Sequence, residues 1–377
     1  MSAPKGRMGA SQAASGGVPR RRDRAFMRRA LTLARRGWGQ TAPNPMVGAV
    51  VVQGDAIVGE GWHARFGEAH AEVAALQAAR SRAAGATIYV SLEPCAHHGK
   101  TPPCAEALIA AGVTRVVIAI RDPNPAATGG IERLEAAGIP VTVGVEESAA
   151  RELNAAFFHS FSSPLPWVTL KLAMSLDGAV ADAAARSQWI TGPRARRETH
   201  RLRAASDAVA VGIGTVLADD PELTVRHADA PRVPPVRVVF DRQARLPLES
   251  RLARSARDLR TIVVAHDPDP ERARRLHDLG VTIVNAPSLH AALGKLRAAH
   301  LRSLFVEGGA RLAGALLAES LVNRLIIFQA PVVLGAGALG AFAFAPGVSA
   351  EEAPRLPVIQ RRTLGHDTMT TYAISES

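Results

Sequence analysis

Apolar residues near the start of the chain recur first at helical and then at strand-like spacing. Over 24–36 they repeat every three to four residues, with arginines on the opposite side. Two extended apolar runs, 47–52 and 56–62, flank Gln53-Gly54-Asp55, which is typical of a hairpin turn. This part of the sequence therefore predicts an amphipathic helix followed by a β-hairpin.

After the hairpin, helical and strand-like patterns alternate. The predicted helices cover 70–82, 104–111 and 131–137, and the predicted strands cover 87–91, 115–120 and 141–145. Strands that alternate with helices pair side by side in parallel. We therefore expect a layered α/β domain whose sheet is largely parallel after the hairpin.

A domain boundary is indicated at Ser162-Ser163-Pro164-Leu165-Pro166, where two prolines interrupt any helix. Beyond it, strands are predicted at 167–173, 208–211, 236–240, 261–265, 281–284, 303–306 and 324–329, with helices near 194–204 and 312–319. The pattern predicts a second α/β domain. The expected organisation is a disordered basic extension (1–22), a first domain (23–163) and a second domain (164–377).

Composition and charge narrow the choice of function. The chain has 377 residues, of which 47% are hydrophobic and 21% charged, enough to build two cores. Of its net charge of +11, most lies in the first 36 residues, which hold ten basic groups and one acid. The nearly neutral remainder argues against a duplex-binding face. No apolar run suits a membrane span or a signal peptide, so a cytoplasmic protein is expected.

The stretch SLEPCAHHGKTPPC, residues 91–104, contains both cysteines of the chain. Cytosolic cysteines more often bind metal or take part in catalysis than form a structural bridge. A Cys95–Cys104 disulfide is the less favoured alternative. Upstream, His70-Ala71-Glu72 stands at the predicted start of a helix.

His70, Cys95 and Cys104 form a His/Cys/Cys set, and Glu72 is a carboxylate that is not a ligand. Three protein ligands leave a tetrahedral Zn²⁺ with one open position for water, and Glu72 can carry a proton to a leaving amine. The chemistry indicated is hydrolytic deamination of a nitrogen heterocycle. A structural zinc held by Cys95, Cys104, His97 and His98 is the alternative, but it leaves His70 and Glu72 without a role.

This pattern resembles the zinc nucleoside and nucleobase deaminases. The longer spacing between the cysteines, together with Pro43-Asn44-Pro45-Met46 and Asp122-Pro123-Asn124-Pro125, is similar to the deaminase half of the bifunctional riboflavin biosynthesis deaminase/reductases. The resemblance implies a cytidine-deaminase-like three-layer α/β domain. The residues that it places in the pyrimidine and phosphate pocket are Asn44, His63, His97, Lys100 and Asn124. The loop after Asn124 is one residue shorter than the family usually has.

In the second half, glycines follow two strands, at Gly212-Ile213-Gly214 and at Gly308-Gly309, where backbone N–H groups can approach phosphates. Neither stretch is the G-x-G-x-x-G fingerprint, so a Rossmann domain is not predicted. The combination resembles the reductase half of the same family, which implies a dihydrofolate-reductase-like fold and NADPH. Lys171 and Glu307 are the polar groups expected near the reacting sugar carbon.

The same resemblance implies two further sets of residues. The positions expected to contact NADPH are Ala173, Trp189, Thr215, Asp219, Gly309, Ala310, Arg311, Leu312, Ala313, Gly314 and Ala315. Those expected to contact the reductase substrate are Ser187, Arg203, Leu223, Arg226 and Glu307. Arginine suits a ribose phosphate because its guanidinium binds phosphate through two hydrogen bonds. Alternatively, Lys171 is a strand residue whose ammonium group extends to solvent, and the arginines belong to a solvated helix face.

The resemblance implies an enzyme for two successive steps of riboflavin biosynthesis that acts on a small phosphoribosylaminopyrimidine. It would bind one Zn²⁺ and NADPH. We expect it to contact neither nucleic acid nor membrane and to form a homo-oligomer. One alternative is a tRNA-type nucleic-acid deaminase that uses the basic N-terminal arm. Another is a non-enzymatic protein with a structural zinc and a nucleotide-binding second domain.

Overall fold

The computed structural model describes residues 21–97 and 102–374. The predicted basic extension lies outside these residues, apart from its last two positions, where the first helix begins. The chain divides into two compact units. The first comprises the chain up to Ala34 with Val47–Trp62 and His70–Ala150, and the second comprises Arg35–Met46, His63–Ala69 and the chain from Arg151 onward. In these described ranges, no helix is both long and apolar enough to cross a membrane.

The first unit contains a five-stranded sheet and its helices. In chain order its elements are α1 (Arg21–Ala34), β1 (Gly48–Gln53), β2 (Ala56–Trp62), α2 (Ala71–Ala79), β3 (Thr87–Val90), α3 (Cys104–Ala110), β4 (Arg115–Ile118), α4 (Gly130–Ala136), β5 (Val141–Val143) and α5 (Glu147–Leu153), which extends past its end. The strand order is β2-β1-β3-β4-β5. β1 is antiparallel to β2 and β3, whereas β3, β4 and β5 are parallel. The predicted hairpin and parallel sheet are confirmed.

Alternate residues of these strands are buried on opposite faces of the sheet, as the strand period of two requires. Ala49 and Val51 of β1 face one core, which α2, α3 and α4 complete. On the other face, α1 packs so close to β1 that a Cβ at Gly48 would strike the backbone of Ala30. The sheet therefore lies between two helical layers.

Small residues set the position of α2, the helix that follows His70. Ala71, Ala75 and Ala79 are fully buried on its inner face. Opposite them, Gly59 and Gly61 of β2 leave room for the helix backbone: a Cβ at Gly59 would come within 2.7 Å of the Cβ of Ala79. The helix can therefore lie almost directly on the strand, which fixes the place of its first turn.

The second unit contains a nine-stranded sheet. Its elements are α6 (Ala155–Ser162), β6 (Trp167–Met174), β7 (Ala179–Ala181), α7 (Pro193–Ala204), β8 (Ala208–Gly212), α8 (Ile213–Asp219), β9 (Val236–Phe240), α9 (Arg251–Arg254), β10 (Thr261–Ala265), α10 (Pro270–Asp278), β11 (Val281–Asn285), α11 (Leu289–Ala298), β12 (Ser303–Glu307), α12 (Ala310–Ala318), β13 (Arg324–Gln329), β14 (Leu339–Gly340), β15 (Val358–Leu364) and β16 (Asp367–Ala373).

The order of the large sheet is β11-β10-β9-β8-β12-β6-β13-β16-β15. All neighbours from β11 to β13 are parallel, and β16 and β15 extend the sheet in antiparallel fashion. After β6 the chain builds outward from β8 to β11 and then returns, placing β12 between β8 and β6. Ligand sites in open α/β sheets lie beyond the carboxyl ends of the strands where the order reverses in this way.

Helices cover both faces of this sheet. Leu170, Ala208 and Val306 face one core together with residues of α11 and α12. Val209 and Val211 of β8 face the other core, with residues of α8, α9 and α10. The predicted second α/β domain is confirmed, although its strands number more than the sequence pattern indicated.

Candidate active sites

Three different elements bring the predicted metal ligands together. His70 is the N-cap of α2, Cys104 is the first residue of α3, and Cys95 lies in the loop after β3. The Nδ1 atom of His70 is 3.2 Å from Sγ of Cys104 and 3.7 Å from Sγ of Cys95. The backbone N–H of Cys104 donates to Sγ of Cys95 at 3.4 Å. Each sulfur thus lies within reach of the same imidazole nitrogen.

This donor set fits Zn²⁺. The three donor atoms lie within 4.8 Å of one another, and donors around a tetrahedral zinc are roughly 3.4–3.8 Å apart, given Zn–S and Zn–N bonds of about 2.3 and 2.0 Å. Both cysteines are free thiols, so the disulfide alternative is wrong. No other group of metal-binding side chains occurs in residues 21–97 and 102–374, and exposed His97 is not part of this one.

The two sulfurs titrate as a pair. The hydrogen bond from Cys104 lowers the pKa of Cys95 to about 4; burial opposes this shift, and His70 reinforces it. The same bond, with burial, raises the pKa of Cys104. One thiolate is therefore present at neutral pH, and binding of a divalent metal would release the second thiol proton.

Glu72 lies in the first turn of α2, two residues after His70, and is only 3% exposed. Burial raises the pKa of its carboxyl group to about 7, whereas the neighbouring His70 opposes the shift. A carboxyl group with a pKa near the working pH can both accept and donate a proton, which is what a general acid–base requires. The side chain also makes a hydrogen bond with Cys104.

Two of the predicted pyrimidine-pocket residues, Asn44 and His63, contact each other. The Nδ2 atom of Asn44 lies 3.3 Å from Nε2 of His63, and Nδ1 of His63 lies 3.1 Å from the carbonyl oxygen of Ala69. Because a carbonyl only accepts, Nδ1 carries the proton and Nε2 accepts from Asn44. Asn154, which sequence reasoning missed, holds the same loop through paired bonds with the backbone N–H and carbonyl of Met46.

Asn124 lies in the shortened loop between β4 and α4. Its own N–H donates to the carboxylate of Asp122 at 2.8 Å, and its side-chain oxygen accepts from the N–H of Ala126 at 3.1 Å. The amide oxygen of Asn124 therefore stabilises the turn. Lys100, the predicted phosphate ligand, lies outside the described residues.

Glu93 is a second residue that sequence reasoning missed. It is buried, and its carboxylate accepts the backbone N–H groups of Asp122 at 3.2 Å, Gly129 at 3.2 Å and Ile131 at 3.4 Å. These three groups belong to the two ends of the Asn124 loop. Gly130 assists, because a Cβ there would strike the carbonyl of Pro94. Glu93 therefore fastens the Asn124 loop to the segment that carries Cys95.

In the second unit, Lys171 and Glu307 are neighbours in the sheet. They pair in register, Lys171 in the middle of β6 and Glu307 at the carboxyl end of β12. From α7, Arg203 forms an ion pair with Glu307 through two nitrogens, and the two side chains are only 11% and 14% exposed. The Nζ atom of Lys171 lies 5.6 Å from the centre of the Phe328 ring. The structure thus brings three of the predicted residues into one charged cluster beside the end of β12.

The charges in this cluster shift one another's pKa. Burial lowers the pKa of Lys171, and Glu307 opposes that effect. Burial alone would raise the pKa of Glu307, but Arg203 and Lys171 together outweigh it and lower the pKa. Glu307 is therefore ionised at neutral pH, and Lys171 is a weaker base in the cluster than a solvated lysine, which makes it a better proton donor.

The predicted cofactor residues, with the predicted substrate residue Ser187, fall into separate groups. Ser187 donates to the carboxylate of Asp219 at 3.2 Å. Trp189 is 69% exposed, with the guanidinium of Arg196 4.7 Å from its ring centre. Ala173 lies on β6, in register with Phe328 of β13.

A further group surrounds the first turn of α12. A Cβ at Gly309 would lie 3.7 Å from Oγ1 of Thr215, so Gly309 and Thr215 are adjacent. Leu312 and Ala313 belong to the hydrophobic core, and Gly314 packs against the backbone of Phe344. Arg311 is exposed and lies 4.3 Å from the ring centre of Phe344. Ala310 is buried as well, so Arg311 carries the exposed side chain of this turn.

Comparison with known families identifies the class of each half. Residues 20–120 match the cytidine and deoxycytidylate deaminase zinc-binding region, and residues 166–369 match the RibD C-terminal domain. The first unit is thus a cytidine-deaminase-like zinc domain, and the second is a reductase domain with a dihydrofolate-reductase-like fold.

Relatives that match most of the chain carry both halves. The riboflavin biosynthesis protein RibD of Aquifex aeolicus (strain VF5) is 44% identical over 318 residues, covering 84% of this chain and 88% of that protein. RibD of Escherichia coli (strain K12) is 43% identical over 374 residues, covering 92% and 97%. The chain therefore belongs to the family of bifunctional RibD deaminase/reductases of riboflavin biosynthesis.

Solved structures agree over the full length. Acinetobacter baumannii RibD, form 1, has a TM-score of 0.81 at 40% identity and covers 94% of this chain and 99% of its own. A Thermotoga maritima diaminohydroxyphosphoribosylaminopyrimidine deaminase/5-amino-6-(5-phosphoribosylamino)uracil reductase has a TM-score of 0.81 at 34% identity, covering 93% and 98%. The predicted enzyme class, Zn²⁺ and NADPH are thereby confirmed, and the nucleic-acid deaminase and the non-enzymatic protein are not favoured.

Proposed function

We propose that this chain first deaminates 2,5-diamino-6-(5-phosphoribosylamino)pyrimidin-4-one and then reduces the ribosyl group of the product with NADPH. The second step would yield 5-amino-6-(5-phosphoribitylamino)uracil. The observation that carries the first step is the buried carboxyl group of Glu72 beside His70, Cys95 and Cys104. The name of the Thermotoga maritima relative, which gives the uracil compound as the reductase substrate, supports this order.

In the first step, His70, Cys95 and Cys104 would hold Zn²⁺, which when bound supplies a Lewis acid that activates water. Glu72 would take a proton from that water and deliver it to the exocyclic amine, which leaves as ammonia while the ring carbon gains oxygen. Asn44, His63, His97, Lys100 and Asn124 are proposed to bind the pyrimidine and its phosphate. Because Nδ1 of His63 is fixed as a donor to Ala69, its Nε2 and the amide of Asn44 would act as one recognition unit.

In the second step, NADPH would supply the hydride to the sugar carbon C1. Lys171 would donate the accompanying proton to the sugar ring oxygen as the bond between that oxygen and C1 breaks, and Glu307 would hold Lys171 in place with Arg203. Ser187, Leu223 and Arg226 are proposed to contact the substrate together with Arg203 and Glu307. Ala173, Trp189, Thr215, Asp219 and the turn from Gly309 to Ala315 are proposed to contact NADPH, the turn through its first residues and Arg311.

The deaminase activity is proposed to belong to residues 23–163 and the reductase activity to residues 164–377. By analogy with the family we also propose a homo-oligomer, which light scattering of the purified chain would test. A cytoplasmic location is proposed because the two zinc-site cysteines are free thiols, as most cysteines are in the reducing cytosol.

The function is tested by supplying the purified chain with the diaminopyrimidinone ribosyl phosphate and NADPH. We expect release of ammonia and oxidation of NADPH in equal amounts, with the ribityl uracil phosphate as the product detected by mass spectrometry. Oxidation of NADPH with no release of ammonia would show that the reductase accepts the diamino compound and would refute the proposed order.

A further inference from the structure

The segment Glu222–His227, which follows α8, carries two of the proposed reductase substrate contacts, Leu223 and Arg226. Leu223 has φ 53° and His227 has φ 56°, a left-handed conformation that non-glycine residues adopt only when neighbouring groups hold them there. The side chain of Arg226 forms an ion pair with Glu222 and is 47% exposed, so its guanidinium is accessible. The backbone conformation of this segment therefore depends on the neighbouring groups that hold it.

Two side chains of α7 fix that backbone at neighbouring points. The Nδ1 atom of His200 accepts the backbone N–H of Arg226 at 2.9 Å. The Nη1 atom of Arg203 donates to the carbonyl oxygen of Thr224 at 2.7 Å. His200 and Arg203 are three residues apart and so lie on the same face of the helix. His200 supplies the acceptor that the N–H group requires, and Arg203 supplies the donor that the carbonyl oxygen requires.

Arg203 also joins this segment to the charged cluster, because its other nitrogens bind Glu307. His200 differs from Arg203 in that its hydrogen bond reaches only the segment. His200 is buried, so the loss of its acceptor would leave the N–H of Arg226 without this partner. The ion pair between Arg203 and Glu307 would change little, because His200 makes no hydrogen bond to either carboxylate oxygen of Glu307. His200 can therefore be tested separately from the catalytic cluster.

The imidazole of His200 is neutral under working conditions. Burial, followed by the positive charge of Arg203, lowers the pKa of His200 to about 4. Arg226, His227 and Glu307 are the other charged or titratable groups that act on it, and of these only Glu307 opposes the shift. Nδ1 accepts from a backbone N–H, so the proton of the neutral ring is on Nε2.

We propose that His200 is a positioning residue of the reductase: its Nδ1 atom sets the backbone of Arg226 and thereby the reach of the Arg226 guanidinium to the phosphate of the substrate. This inference deepens the proposed function, since it rests on the assignment of Leu223 and Arg226 to the substrate. Neither the catalytic cluster nor the NADPH contacts are predicted to depend on it.

The test compares His200→Leu with His200→Asn in the full chain. Asparagine places an acceptor oxygen close to the position of Nδ1, whereas leucine fills similar volume without an acceptor. We expect His200→Leu to raise KM for the ribosylaminouracil phosphate by about tenfold, the change typical of one lost buried hydrogen bond. His200→Asn should stay within about threefold of the parent, because it restores that bond. KM for NADPH and the deaminase activity of the same samples should not change in either variant.

Controls separate this inference from the function on which it rests. His277→Asn, at an exposed position of α10, provides the matched histidine control. If Arg226→Ala leaves KM for the uracil substrate unchanged, the substrate assignment is wrong. If Arg226→Ala raises that KM but His200→Leu does not, the positioning role is refuted. Equal rises of this KM in His200→Leu and His200→Asn would also refute the positioning role. Should His200→Leu fail to fold, a tenfold rise of KM in His200→Asn would refute it.

Discussion

At the scale of single residues, the proposed deaminase reaction depends on the buried carboxyl group of Glu72. We expect Glu72→Gln to lower the deaminase kcat by about 10²- to 10⁴-fold, because glutamine occupies the same space but cannot transfer a proton. Ammonia release measures the effect, and metal analysis should show that zinc is retained. Glu135→Gln, at an exposed position of α4, is the matched control. Full activity in Glu72→Gln would remove Glu72 from the reaction.

The proposed reductase reaction depends in the same way on Lys171. Methionine is similar in length but carries no proton, so Lys171→Met should lower the rate of NADPH oxidation with the deaminated substrate by about 10²-fold or more. Fluorescence titration should show that NADPH still binds. Lys295→Met, on α11, is the control. If Lys171→Met lost NADPH binding and kept its turnover at saturation, Lys171 would be a cofactor ligand instead of a proton donor.

The zinc ligands could be predicted from sequence because their residue types and order are specific to the chemistry. Glu93 and His200 could not, even though Glu93 stands inside the cysteine motif. These two residues matter because their side chains accept hydrogen bonds from backbone N–H groups, here those of Asp122, Gly129 and Arg226. Those partners are 26 to 36 residues away in the chain, and no local pattern signals the pairing.

At the scale of elements, Glu93 joins the end of β3 to the loop before α4. Glu93→Ala should destabilise the first unit by about 2–3 kcal/mol, because it leaves buried N–H groups without an acceptor. Hydrogen exchange of the amides of residues 122–131 should become faster, while exchange in β6 and β12 should not change. Glu132→Ala, which removes an exposed carboxylate from the same helix, is the control. Unchanged exchange in 122–131 would mean that other contacts hold the loop.

The parallel strands could be predicted to within one or two residues, because each is a short apolar run. Helices α10 and α11 were missed although Asp269 and Ser288 cap them, accepting the N–H groups of Arg272 and Ala291. Those capping residues were a signal available in the sequence. β15 was missed for a physical reason: it is largely exposed and its centre reads Gln360-Arg361-Arg362, so no apolar alternation marks it as a strand.

At the scale of the whole molecule, two α/β domains followed from the length and the repeated strand–helix pattern. The grouping of Arg35–Met46 and His63–Ala69 with the second unit did not. Trp38 and Gln40 explain it, since they donate hydrogen bonds to the carbonyls of Arg201 and Ala230 at 2.8 Å. Bonds between residues more than 160 positions apart leave no trace in local sequence patterns.

Removal of the metal should divide the two activities of the molecule. A chelator that strips zinc from His70, Cys95 and Cys104 should abolish ammonia release, because the sulfurs and the imidazole have no catalytic function of their own. Reduction of the deaminated substrate should continue at its original rate, and added Zn²⁺ should restore ammonia release. Loss of both activities on chelation would indicate that the metal also supports the reductase.

The most direct test of two separate sites acting in sequence on one chain is to mix the two blocked variants. With the diaminopyrimidinone ribosyl phosphate and NADPH, Glu72→Gln alone should release ammonia and oxidise NADPH only at its strongly reduced rate, and Lys171→Met alone should release ammonia with little oxidation of NADPH. The mixture should form the ribityl uracil phosphate, with ammonia and NADP⁺ in equal amounts. If the mixture formed no ribityl product, although each variant retained its unblocked activity, the sequential two-site reaction would be contradicted.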